Sequence, residues 1–447
     1  MSKFKYLIII KNIVITKSVL GTISKDQLKE FSIIEDGVPR TILPNILRYN
    51  GNAAIIIKGL RRCGKSTLLK QVIKSKVHND FFYFNFDDDR LAGFKVEDFQ
   101  TLMESQIELF GRKNNVFFDE IQNIHGWELF INRLLREGYH LFITGSNANL
   151  LSKELGTYLT GRHIDIELYP FSFTEFLKAN KIAPLKGLYS TEEKVLLNKL
   201  FKDYFVKGGM PESVVFSNEL ILKHVVSDII QKDIVNRYNI RKTGELKTVL
   251  NYLIANVANF ITYRSIKNNF EIKSANTIQK YIEYAEETYL IFLVDRFEKK
   301  IKQFEKNPKK VYCMDNGIIT KNSLTINEKK GAMLENLVAV QIKRIGEEFF
   351  YYKGKSGMEA DFVIPNKKIA IQVCYELTDN NKKREIKGLL EAMNGTGATK
   401  GLILTYEQEL EITEGNKKIT IMPAWQWLLE SEQNGIDKKA DLFYSID

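Results

Sequence analysis

Gly59-Leu-Arg-Arg-Cys-Gly-Lys-Ser66 decides how this chain is read. The eight residues fit G-x-x-x-x-G-K-[ST], entered by an apolar run over residues 53–58 and left by a helix-period stretch over 66–77. Such a strand–loop–helix holds polyphosphate for physical reasons. Glycines let successive N–H groups curl around phosphate oxygens, and the helix N-terminus adds the positive end of its dipole. Lys65 is placed to reach the β- and γ-phosphates, and the Ser66 hydroxyl to ligate Mg²⁺. The phosphate-binding set is therefore Gly59, Leu60, Arg61, Arg62, Cys63, Gly64, Lys65, Ser66 and Thr67, with Arg61 and Arg62 either touching phosphate or shaping the loop.

Working outward, short apolar runs at 81–86, 115–118, 141–144 and 164–168 alternate with helical patterns. Trp127, Phe130, Ile131, Leu134 and Leu135, for example, fall on one helical face. This alternation is how parallel α/β sheets read. The run at 115–118 ends in Asp119-Glu120, where a buried strand delivers carboxylates to the phosphate side. Asp119 is expected to hold Mg²⁺ through water and Glu120 to polarise the attacking water; the plainer alternative is an acidic pair capping the next turn. After the run at 141–144, Ser146 is the first choice and Asn147 the second for a residue that reports the γ-phosphate. Arg162, just before the last run, is expected to face a neighbouring subunit's γ-phosphate as a finger supplied in trans, or else to be a surface arginine. A GTPase would need an N/T-K-x-D motif after the core, and none is present.

Together these residues resemble the AAA+ branch of P-loop ATPases. More narrowly, the chain is similar to a prokaryotic family in which an AAA+ core precedes a C-terminal domain of unknown function. The marks are the Arg-Arg of the phosphate loop, Phe118-Asp-Glu-Ile-Gln122, Ile143-Thr-Gly-Ser146, Leu168-Tyr-Pro-Phe-Ser-Phe-Thr-Glu-Phe176 and Gly208-Gly-Met-Pro-Glu212. Further marks are Gly331 with Glu335, Glu359-Ala-Asp-Phe-Val363 and Pro423-Ala-Trp-Gln-Trp-Leu428. The resemblance implies a five-stranded parallel sheet of order 5-1-4-3-2, ATP and Mg²⁺ as cofactors, ATP hydrolysis and ring-like homo-oligomers. It also links members to DNA. A sensor-2 arginine motif is not found; Arg237 is the nearest candidate.

From Pro170 the strand signals give way to helical ones over 171–178, 191–206 and 220–238. Residues 245–315 read as helix, helix, helix and hairpin, the pattern of a winged helix. Its third helix begins Ser274-Ala-Asn-Thr-Ile-Gln-Lys280, and Arg296, Lys299, Lys300, Lys302, Lys306, Lys309 and Lys310 crowd the wing. Such a unit either contacts DNA or carries a solvated charged loop and contacts protein. Beyond residue 331, Glu335, Asp361 and Gln372-Val-Cys374 follow the order of a PD-(D/E)XK nuclease core. Gln replaces the second acid and Cys the lysine, so no cleavage is expected. The expected architecture is α/β: a 1–30 extension, a 31–170 AAA+ core, a 171–244 helical lid, a 245–315 winged helix and a 331–447 degenerate nuclease-like domain.

Composition agrees. The 447 residues carry 44% apolar and 27% charged residues, which is globular, and a net charge of +10. Residues 181–330 hold 26 basic against 17 acidic residues, so the excess lies in the middle and points to a polyanionic partner. Cys63, Cys313 and Cys374 are few and far apart, which favours a reducing compartment. The five histidines show no metal-binding spacing. No apolar run approaches the roughly 20 residues of a membrane span. The expectation is a cytoplasmic ATPase working on DNA or a DNA-bound protein; the alternatives are a slow ATP-gated switch or, less favoured, an ATP-regulated nuclease.

Overall fold

The computed structural model describes residues 15–33, 35–49, 51–146, 162–183, 189–298, 307–322, 329–414 and 417–436. The chain forms two compact units that divide between Leu168 and Tyr169. In the first, β1 (Ala54–Gly59), β2 (Phe81–Asn85), β3 (Asn115–Asp119), β4 (His140–Gly145) and β5 (His163–Leu168) pair in parallel in the order β2-β3-β4-β1-β5. Read from the other edge, this is the expected 5-1-4-3-2. β1 is buried along its whole length, as a central parallel strand covered on both faces must be.

Helix α1 (Lys17–Ile33) corrects the expected boundary at residue 30, which would cut it. Its Leu20 and Ile23 lie in the same core as Phe99, Phe118 and Trp127. Gln27 donates to the Asn85 carbonyl at 2.8 Å and accepts from the Asn85 amide at 2.9 Å, and Phe31 stacks on Tyr83 with ring centroids 4.0 Å apart. Helix α2 (Lys65–Val72) leaves the phosphate loop and relaxes into a π-helical turn over Ile73–Val77. A short helix over Leu43–Arg48 precedes β1, and helices α3 (Asp98–Phe110) and α4 (Trp127–Arg136) follow β2 and β3.

The second unit begins with α5 (Phe173–Ala179), α6 (Thr191–Lys207) and α7 (Leu220–Asp228). Then come α8 (Thr243–Ala255), β6 (Phe260–Ile261), α9 (Tyr263–Asn269), α10 (Ala275–Glu287), β7 (Ile291–Val294) and β8 (Lys309–Cys313). The three strands form an antiparallel sheet of order β6-β8-β7. α8 stops at Ala255, and beyond it Ala258 takes a left-handed backbone and donates to the Val311 carbonyl just ahead of β6. After α11 (Asn316–Asn322) and α12 (Lys330–Arg344) come β9 (Phe350–Lys353), β10 (Glu359–Ile364), β11 (Ile369–Val373), α13 (Lys382–Thr396), β12 (Lys400–Thr405), β13 (Leu410–Glu414), β14 (Lys417–Pro423) and α14 (Ala424–Ile436). The strands make one mixed sheet of order β13-β14-β12-β11-β10-β9.

Several quoted motifs prove to be parts of one hydrogen-bonded knot. Ser172 and Glu175 form a reciprocal capping box at the start of α5. The Phe171 amide donates to the Gly209 carbonyl at 2.6 Å, and the Gly209 amide donates to Asp315 Oδ2 at 2.6 Å. A Cβ on Gly209 would come within 2.1 Å of the Phe171 carbonyl oxygen, so only glycine allows the two backbones to meet. Asn316 continues the knot to the Phe205 and Met333 carbonyls, both at 3.1 Å.

Candidate functional site

The turn between β1 and α2 carries the phosphate motif. Gly64 has φ +97°, and Arg62 φ +64°, so the loop curls in the way a backbone cradle requires. Arg40, buried ahead of β1, donates from Nη1 to the Cys63 carbonyl at 2.8 Å and braces the loop from outside. Sequence reasoning missed Arg40 because nothing local marks it. Lys65 is itself buried. Its ammonium donates to the Gly59 and Leu60 carbonyls at 3.2 and 3.3 Å and lies 3.5 Å from Glu120 Oε1.

β3 ends by delivering Asp119 and Glu120 beside this loop. Asp119 is fully buried. It accepts from Ser66, from Thr144 Oγ1 and, at 3.1 Å, from the Tyr83 hydroxyl. Burial and the neighbouring Glu120 carboxylate push its pKa up against these donors. Burial works the same way on Glu120, but the Lys65 ammonium, the Gln122 amide and Arg61 outweigh it and hold this carboxyl below its ordinary range. Glu120 has φ +54°, a left-handed backbone rare for a side-chain-bearing residue, and its amide donates to Thr144 Oγ1 at 3.0 Å. One threonine hydroxyl thus fixes both acids. Gln122 donates to Glu120 Oε2 and, at 3.3 Å, to Ser146 Oγ, which ties the expected reporter residue to the expected base. The Gln122 carbonyl oxygen is buried with no partner among the described residues. Thr144 and Gln122 stood inside quoted motifs without a role; a strand threonine reads as β-propensity until its neighbour is known. Asn147 lies outside the described residues.

Residues 51–177 match the AAA domain family, 198–329 match DUF8612, and 330–427 match DUF4143; the last two are domains of unknown function. An uncharacterized protein of Methanocaldococcus jannaschii is 37% identical over 421 residues, covering 90% of this chain and 92% of that one. The chain belongs to the family of that archaeal protein. Its first unit is an AAA-type nucleotide-binding domain. A second family member, an uncharacterized protein of Haemophilus influenzae, is 31% identical over 399 residues, covering 84% of this chain and 94% of its own length. Among solved structures, AMPPCP-bound DnaA from Aquifex aeolicus is similar at 18% identity over 55% of this chain and 85% of that one, with a TM-score of 0.24, too low to support an argument.

In this family member Arg162 is exposed and stands apart from the group around Lys65. Its carbonyl accepts from the Ala54 amide at 2.9 Å, which puts it at the start of β5 beside the start of β1. The phosphate loop is at the other end of β1, about 17 Å along the strand. Arg237 is half-buried in the short helical turn Asn236–Tyr238.

The described residues of the basic wing are engaged within the second unit. Lys310 is a correction: it is buried, not available to DNA, and contacts Glu335 and Asp361. Lys309 pairs with Asp295 at 2.9 Å and Arg296 with Glu298 at 3.4 Å. The Phe297 amide donates to the Tyr351 carbonyl at 2.7 Å, and the Tyr351 amide to the Asp295 carbonyl at 3.0 Å, so the strand leaving β7 docks on the edge of β9. Lys299, Lys300, Lys302 and Lys306 lie outside the described residues. Glu335, on α12, reaches the same lysine as Asp361. Burial pushes the Cys374 thiol up to about 11, and it donates to the Glu376 carbonyl at 3.1 Å. No helix among the described residues is long and apolar enough to cross a membrane.

Proposed function

We propose that the chain is a Mg²⁺-dependent ATPase of the AAA+ type whose nucleotide cycle drives conformational work on DNA or on a DNA-bound protein. The observation that carries this reading is the single hydrogen-bonded group that joins Lys65, Ser66, Asp119, Glu120, Gln122, Thr144 and Ser146 at the mouth of the phosphate loop. The donors suit Mg²⁺, being the hydroxyl of Ser66 and the carboxylate of Asp119, two hard oxygens already in contact. Bound there, the ion would neutralise charge on the β- and γ-phosphates. Lys65 would turn from the loop carbonyls to the phosphates. Glu120, kept ionised by its neighbours, would accept a proton from the attacking water, with the unpartnered oxygen of Gln122 available to orient that water. Thr144 would keep both acids in register.

A slow ATP-gated switch is the second reading, favoured by the way Lys65 and Gln122 hold the Glu120 carboxylate. Steady-state ATP turnover with and without duplex DNA separates the two: several-fold stimulation supports work on DNA, and a single slow turnover supports the switch.

Arg162 is proposed as the finger acting on a neighbouring copy, since its end of the sheet faces away from the loop of its own chain. Arg162→Ala and Glu120→Gln are each expected to be nearly inactive, and mixing them to restore part of the rate, because mixed assemblies contain intact composite sites. Trans fingers contribute about 10³–10⁵ in related chemistry. The absence of recovery in mixtures that do associate under ATP would refute the assignment.

Residues 245–315 are read as a winged helix, a reading supported by their element order and sheet order. With Lys309 and Lys310 engaged internally, the candidates for DNA contact among the described residues include the exposed Arg264, Lys273 and Lys280 on and beside α9 and α10. Replacing all three with Ala is expected to weaken DNA binding and lower the salt slope by about 3, one counterion for each lost phosphate contact. An unchanged slope would point to protein as the partner. Residues 331–447 are read as a degenerate nuclease-like domain that cuts nothing and serves as a docking or oligomerisation surface.

A further inference from the structure

Lys310 comes from β8, yet its ammonium is held by two carboxylates of the segment that follows. It lies 2.8 Å from Glu335 Oε1 on α12 and 2.9 Å from Asp361 Oδ1 on β10, with its side chain only 5% exposed. The Phe260 ring covers it at 5.5 Å from the centroid. The acids are positioned by other groups: Tyr312 donates to Glu335 Oε1 at 2.7 Å, and the Val373 amide to Asp361 Oδ2 at 2.9 Å. One residue before that amide, Gln372 is buried, and its carbonyl oxygen has no partner among the described residues.

Two carboxyl groups converge on one point, which suits a cation. An ammonium supplies one positive charge to the pair, while a divalent ion would supply two and take the hard oxygens that surround it. The Gln372 oxygen, on the residue next to the amide that holds Asp361, is a neutral donor of the kind such an ion accepts, while the Gln372 amide donates to Glu385 Oε2 at 2.7 Å. We propose that Lys310 is a built-in cation occupying what is otherwise a divalent-metal site, so that this site is closed to metal by the chain's own lysine. The lysine then braces β8 against the C-terminal sheet, and the acidic pair serves as its counter-charge. This rests on the second unit alone, and an inactive nucleotide site would leave it standing.

The test compares nucleotide-free wild type, Lys310→Ala, Lys310→Arg and Lys310→Ala/Asp361→Asn for Mn²⁺ binding, followed by the loss of the free-ion paramagnetic signal, and for thermal unfolding. The nucleotide site is common to all four, so its contribution cancels. Lys310→Ala is expected to bind one Mn²⁺ more per chain than wild type. At a hundredfold excess over the dissociation constant its Tm is expected to rise by about 5 °C. Adding Asp361→Asn should abolish both gains, and Lys310→Arg should show neither. If Lys310→Ala folds only when Mn²⁺ is present, the proposal is supported directly. It is overturned if Lys310→Ala takes up no extra ion, if it stays unfolded at every Mn²⁺ concentration, or if Lys310→Arg or the double variant takes up the extra ion as well.

Discussion

Lys65→Ala is expected to lower ATP affinity by at least about 100-fold. A charge-assisted hydrogen bond contributes about 1.5–3 kcal/mol, and the lysine is proposed to make two to phosphate oxygens. Its ammonium donates to the Gly59 and Leu60 carbonyls and lies at longer range from Glu120, neutral and carboxylate oxygens whose place phosphate oxygens would take. The substitution also removes the cation that holds the Glu120 carboxyl down, so any remaining binding should become more sensitive to acid. Calorimetric titration with a slowly hydrolysed ATP analogue is the measurement, with an unfolding curve to show that removing a buried side chain has left the first unit folded. An affinity within threefold of wild type would remove Lys65 from the phosphate site.

Glu120→Gln is the complementary case. The side chain keeps its shape, and its oxygen can still accept from Gln122, so ATP affinity should stay within a few-fold of wild type. Turnover should fall by about 10²–10⁴, the range that a positioned general base supplies. The left-handed backbone at this residue strengthens the case, because a conformation that costs about 1–3 kcal/mol persists only where surrounding contacts impose it. Here the Thr144 hydroxyl provides that contact. Unchanged steady-state turnover in Glu120→Gln would transfer the role of base to another group.

The first sheet was legible because its cues are local. Five short apolar runs, each bounded by turn residues, gave strands to within a residue or two, and a strand that enters a glycine loop and leaves as a helix has few alternatives. What escaped was tertiary. The buried stripe of α1 includes Gly21, Ser24 and Gln27, so its periodicity is diluted by residues that count as polar. Ser24 is satisfied by the Leu20 carbonyl and by Gln106 from α3, and Gln27 by Asn85 from β2, partners that sequence spacing does not reveal. Lys310 is the sharper example. In a run rich in lysine it reads as solvated, and only the arrival of Glu335 and Asp361 from 25 and 51 residues away makes it a core residue. Thr144 and Arg40 share the problem: each is defined by what it braces.

The docked strand at Asp295–Phe297 bears on how the chain can be divided. Segments 198–329 and 330–427 match separate families, yet the first lends backbone hydrogen bonds to the β9 edge of the second, and one of its lysines neutralises the second's buried acids. A fragment beginning at residue 330 would carry an unpaired strand edge and two stranded carboxylates, both of which promote aggregation or unfolding. The two segments are therefore modules in name but a single unit of inheritance: truncations, fusions and exchanges between relatives should be cut ahead of Tyr169 and not at the family seam.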